Sequence, residues 1–236
     1  MSITTKPLLA VPVGVGSDHL NGDLYLHPDF ATFADDPTIQ NLKSTHKQYR
    51  EGFKNVVEAI GIVDPTVTES RRFLDLAKRS EAWLSSVANV GTASTTIARH
   101  ELDRIERDIV DALGIRNGEF GGELRAHLKT LKPAERVSAA MAAIKANDTA
   151  TLAAILVAPP ALSGLTVEQH TTIRNEHERQ NAGKLLARRK VVQKAIAINS
   201  RTFDDAMTEL ARLFPKATVA EITARTNEAR AAKDAI

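Results

Sequence analysis

From Thr166 to Phe214 the chain runs without a proline and with one glycine, Gly183, while its large apolar residues return at Leu185, Val192, Ile196, Phe203, Met207, Leu210 and Phe214. Steps of seven, four and three put these side chains on one stripe of a helix, with polar residues filling the rest of its circumference. The spacing predicts a single helix over about 166–214. A helix cannot bury its own stripe, so another surface has to cover it.

The same pattern recurs upstream. Ile39, Leu42, His46, Tyr49, Phe53, Val56 and Ile60 alternate by threes and fours between Asp36-Pro37, which caps and opens a helix, and Gly61, which ends it. Asp64-Pro65-Thr66 predicts a second start by the same logic, with Phe73, Leu74, Ala77, Trp83, Leu84 and Val87 along the helix. Gly91, among Thr92, Ser94, Thr95 and Thr96, reads as a break or kink. A further seam then runs from Ile97 or Ala98 through Leu102, Ile105 and Ile109 to Leu113, ending at Gly114.

Asn117-Gly118-Glu119-Phe120-Gly121-Gly122 reads as a turn or hinge between two helical halves. Three shorter helices are expected beyond it, over 123–131, 133–145 and 148–157. Asn147-Asp148 closes one and caps the next, folding Val137, Met141, Ile144, Leu152, Ile155 and Leu156 into a hairpin. Pro159-Pro160 stops the last of these, and Thr166-x-x-Gln169 is a capping-box start for the long helix. Pro215 ends that helix, and Thr218-x-x-Glu221 predicts a final, strongly polar one that is prone to fray.

The first 36 residues break the pattern. Pro7, Pro12, Gly14, Gly16, Gly22 and Pro28 interrupt any helix, and short apolar runs suit an extended arm that packs along its own domain or reaches a neighbour. Its candidate partner-binding residues are Leu8, Leu9, Val11, Val13, Val15, Leu24, Tyr25 and Leu26, and Asp23 to His27 could add a short strand. The expectation is an all-α chain: an elongated multi-helix bundle with an irregular N-terminal arm (1–36), an N-terminal helical half (37–116) and a C-terminal half (117–236).

Composition narrows the function classes. Aromatic residues are only 4% of a chain that is 43% hydrophobic, which favours closely packed alanine- and leucine-rich helices over strands. Thirty-one basic against 29 acidic residues give a net charge of +2, too balanced to mark a polyanion binder by field alone. The absence of cysteine excludes disulfides, cysteine-ligated metals and thiol nucleophiles. No apolar run approaches the roughly 18–20 residues of a membrane span, and Pro7 and Pro12 interrupt any secretory leader, so a soluble protein is expected.

No complete catalytic motif is present, and no cofactor or metal is expected. Gly14-x-Gly16 lacks the third glycine of a dinucleotide fingerprint, and Gly183-Lys184 lacks the frame of a phosphate loop. His100-Glu101 and His177-Glu178 are followed by Arg104 and Asn181 where a zincin helix needs its second histidine. His170 and His177 share a helix face and would need carboxylates from another helix to hold a metal. His46, inside an apolar seam, reads as a partly buried structural histidine rather than a pH switch. The acidic residues between Glu101 and Asp111 alternate with Arg104 and Arg107, the usual dress of a solvated helix face. Lys184, Arg188, Arg189, Lys190 and Lys194 form the best basic face, a candidate phosphate-contacting surface, although Glu176 and Glu178 interrupt the charge and no aromatics are interleaved for stacking.

Gly122 to Lys129, Pro133 to Arg136, Ala143 to Leu152 and Ile155 to Leu165, with its Pro-Pro and Ser-Gly, together resemble uncharacterised helical virion-associated proteins of tailed phages over residues 122–169. The resemblance implies a virion context and carries no catalytic residue. The expected function is therefore a non-enzymatic structural or adaptor protein of a larger assembly, self-associating or joined to other virion subunits and located in the virion, or in the cytoplasm if that context does not apply. The alternative is a nucleic-acid-associated helical protein acting through Lys184 to Lys194. A metal or enzyme site on His170 and His177 is the third possibility.

Overall fold

The computed structural model describes residues 8–9, 16–115 and 121–234, which are mostly helical with no strand among them. In chain order the helices are α1 (Asp18–Asn21), α2 (Pro37–Gly61), α3 (Glu69–Leu113), α4 (Gly121–Thr130), α5 (Pro133–Ala146), α6 (Thr149–Leu156), α7 (Val167–Leu213) and α8 (Lys216–Asp234). Short 3-10 turns occupy Leu24–Leu26, Pro28–Phe33 and Pro160–Ser163.

Local signals explain most of the boundaries. The Asp36 carboxylate accepts from the N–H groups of Thr38 and Ile39, with Pro37 at the first helical position. Thr166 and Gln169 exchange reciprocal bonds at the head of α7, the N–H of each reaching the other's side-chain oxygen. Asn147 closes α5 in the left-handed region (φ 53°), and Asp148 caps α6 by accepting from the Thr151 N–H.

Four expectations are corrected. Asp64 does not open a helix: its carboxylate takes both the N–H and the hydroxyl of Thr66, forming a local turn, and α3 begins only after Thr68, whose hydroxyl accepts from the Arg71 N–H. Gly91 neither breaks nor kinks α3, which runs through it. Asp23 to His27 is not a strand, because the Asp23 carboxylate accepts from the Tyr25 N–H and its carbonyl from the Leu26 N–H, winding the segment into a 3-10 turn. The last helix starts at Lys216, before Thr218, with the Pro215 carbonyl accepting from the Val219 N–H. Of the expected hinge, 117–120 lie outside the described residues, and Gly121 and Gly122 open α4.

The chain divides into two compact units whose limits fall inside α3 and α7. One is Met1–Arg99 with Val191–Ile236, and the other is His100–Lys190. In the first, Phe53 and Ile60 of α2, Phe73 of α3, Leu210 and Leu213 of α7, Phe214 just after α7, and Ile222 of α8 form a core, on which Leu8 and Leu9 also pack. The rings of Phe73 and Phe214 lie 5.5 Å apart, and those of Tyr49 and Phe203 5.6 Å apart. These rings need room between helices. A Cβ on Gly52 would come within 2.1 Å of the Trp83 indole nitrogen, and one on Gly91 within 1.7 Å of the Tyr49 hydroxyl.

The second unit has a different core. Leu128, Ala140, Ala143, Ile144, Leu152, Ile155, Leu156, Leu165 and Ile173 pack without an aromatic ring among the described residues. Arg136 reaches across it to the carbonyls of Leu128, Lys129 and Gly164, tying α5 to the end of α4 and to the loop before α7.

Candidate functional site

The N-terminal segment is bound to its own unit. Ser17 donates to the Asp205 carboxylate, and the His19 ring lies 3.4 Å from the same group. Tyr25 is buried; its hydroxyl donates to Asn199 Oδ1 at 2.9 Å, and the Asn199 amide donates to the Leu42 carbonyl at 2.8 Å. Burial, then the Asp23 charge, raise the Tyr25 pKa, so the hydroxyl keeps its proton. Lys194 bonds Asp29 at 2.6 Å and sits over the Phe30 ring. Of the candidate partner-binding residues, Leu8, Leu9 and Tyr25 thus pack within the unit, Leu24 is half-buried, and Leu26 is 77% exposed. Val11, Val13 and Val15 lie outside the described residues.

His46 is fully buried, and its Nε2 donates to the His19 carbonyl at 3.2 Å. Burial, followed by the Arg50 charge, lowers its pKa and keeps the ring neutral. His177 is equally buried in the second unit, its Nε2 donating to the Leu113 carbonyl at 3.0 Å and its Nδ1 accepting from Asn181 at 2.9 Å. With both nitrogens engaged it offers no lone pair to a metal. His170 is buried with its Nε2 unpartnered, and no group of three histidines, aspartates or glutamates that could hold a metal occurs among the described residues.

The basic face is largely answered by carboxylates of the same chain. Arg188 pairs with Glu101, which Arg104 also holds, Arg189 with Glu106 at 3.1 Å, and Lys194 with Asp29. Although partial burial pushes Glu101 upward, hydrogen bonds from Arg104 and Arg188 hold its carboxyl below the usual range. Lys184 and Lys190 remain exposed. Helix charge patterning that looked free in one dimension is paired in three.

One groove of the first unit gathers polar side chains. It has a volume of about 300 Å³ and lies among α2, α3 and α7, lined by Tyr49, by Thr92, Thr95, Thr96 and Arg99, and by Ser200 and Asp204. Thr45, Thr171, Thr172 and Thr202, outside it, return their hydroxyls to the carbonyl four residues back in their own helix. Those of Thr92, Thr95, Thr96 and Ser200 have no partner among the described residues, and neither do Arg99 and Asp204. Tyr49 is 3% exposed, yet its hydroxyl, seated over Gly91, is also unpartnered; burial raises its pKa. In a larger groove of about 770 Å³ along α2, Lys47 pairs with Glu51, Lys54 with Glu58, and Arg50 bonds the Asn21 carbonyl, while Lys43 has no partner among the described residues.

Sequence reasoning passed over the groove. The run Gly91, Thr92, Thr95 and Thr96 stands out in the sequence, but its partners Ser200 and Asp204 belong to a helix that only the fold brings alongside. Compared with protein-family models, with curated proteins and with solved structures, the chain matches none. No described helix is long and apolar enough to cross a membrane.

Proposed function

We propose that the chain is a non-enzymatic structural or adaptor component of a larger assembly, and that the assembly is a phage virion. The observation that carries this reading is α8. Ile222 is its only buried residue, and every residue from Thr223 to Asp234 is exposed. A helical segment this short is marginal in water unless tertiary packing holds it, and the described residues of its own unit cover none of it, the Glu221–Arg225 pair at its start lying within α8 itself. A second surface would supply it. Docking therefore shifts from the N-terminal segment, in which Leu8, Leu9 and Tyr25 pack internally, to the C-terminal helix. The virion context rests on the resemblance of residues 122–169.

Light scattering of the full chain, beside a chain ending at Ile222, tests the docking role. The full chain is expected to self-associate or to be retained in purified particles, and the shortened one to be monomeric with its remaining helices intact. A full-length chain that is monomeric at high concentration and missing from particles overturns the proposal.

A further inference from the structure

The groove of the first unit presents opposite charges that do not meet. Some charges of α3 and α7 find one another: Glu101 takes Arg104 and Arg188, Arg189 takes Glu106, and Arg212 takes Glu209. Arg99 on α3 and Asp204 on α7 line one cavity and have no partner among the described residues, and the same cavity is lined by hydroxyls that make no bond to their own helix. The Tyr49 ring is nearly inaccessible, and its side chain lines the groove with a hydroxyl that has no partner among the described residues. Gly91 makes this placement possible, because any Cβ there would displace the hydroxyl.

We propose that this groove binds a small zwitterion of free amino acid type, with its carboxylate on Arg99, its ammonium on Asp204, and the hydroxyls of Tyr49, Thr95 and Ser200 bonding its polar atoms. A guanidinium offers a planar fork that suits a carboxylate, and a carboxylate accepts from an ammonium. The volume lies at the small end of ligand pockets, which run from roughly 300 to 1,000 Å³, and so suits a small metabolite rather than a nucleotide cofactor. The site is separate from α8 and does not depend on the assembly role.

Isothermal calorimetry of the full chain against the standard L-amino acids, with acetate and methylamine as single-charge controls, tests this directly. At least one amino acid is expected to bind, neither control is expected to compete, and Arg99→Gln and Asp204→Asn are each expected to weaken binding by about tenfold or more. Both residues are exposed, so the variants are expected to keep the wild-type circular dichroism and melting temperature. Thr95→Val gives a milder third reading, a loss of a few fold. No binding by any amino acid to the folded wild type overturns the proposal, as does binding indifferent to both charge variants. Loss on Arg99→Gln alone, with acetate competing, replaces the zwitterion by a simple anion and overturns the assigned class.

Discussion

The two units solve the same packing problem with different side chains. Of the ten aromatic residues, all but Phe120 fall in the segments of the first unit, whereas the described core of the second is leucine, isoleucine and alanine. Large rings between helices demand a local absence of bulk on the facing helix, and Gly52 and Gly91 provide it against Trp83 and Tyr49. In the second unit Gly114 (φ +60°) and Gly164 (φ +69°) turn the chain after a helix. Glycine thus serves close approach at Gly52 and Gly91 and chain reversal at Gly114 and Gly164.

The largest effect that tests this contrast is the removal of a ring. Phe73 is 1% exposed and stacks near Phe214, so Phe73→Ala is expected to lower the unfolding free energy by about 3–5 kcal/mol, measured by urea denaturation. A loss below about 1 kcal/mol would mean that the aromatic core is not what holds the first unit. Next come the glycines, where one substitution carries opposite signs. Gly91→Ala is expected to cost about 1–3 kcal/mol by overpacking against Tyr49. Gly183→Ala, at a helical position with nothing within 4 Å of the new Cβ, is expected to stabilise by about 0.5–1 kcal/mol. Equal effects at the two sites would collapse the distinction.

That pair of substitutions also shows what the sequence made legible. Helix starts at Asp36-Pro37, Asn147-Asp148 and Thr166-x-x-Gln169 were readable because a cap and its N–H targets lie within a few residues. The seam from Ile39 to Ile60 was readable because its period repeats. Gly91 was misread because a glycine that admits a ring from another helix looks, in one dimension, like a glycine that ends one. Asp64-Pro65 was misread because Thr66 competes for the same carboxylate. The groove was invisible for a related reason: Arg99 and Asp204 carry no mutual signal until α3 and α7 lie side by side, and unpaired hydroxyls cannot be told from back-bonded ones in a string of letters.

The smallest expected effect concerns polar burial, which the first unit combines with its rings. His46 is held neutral by burial and by Arg50. The unfolded chain takes up this proton near pH 6.5, and the folded chain only at lower pH. Between those limits the unfolded state binds more protons, so stability falls as the pH falls through that window. Denaturation midpoints measured at about pH 7.5 and about pH 5 are expected to separate more for the wild type than for His46→Gln. Parallel shifts in the two proteins would show that burial of this ring carries no pH dependence.

The bond between Tyr25 and Asn199 spans 174 residues, a distance that matters during synthesis on the ribosome. At about 5–20 residues per second, Tyr25 emerges roughly 10–35 s before the side chain that receives its proton has been made. The second unit, continuous from His100 to Lys190, is translated in full during that wait, while the first remains without its closing segment. The aromatic residues made first are thus the last to be covered, and a nascent chain stalled before Val191 would present Tyr25, Phe30 and Leu42 without the α7 segment that carries Asn199.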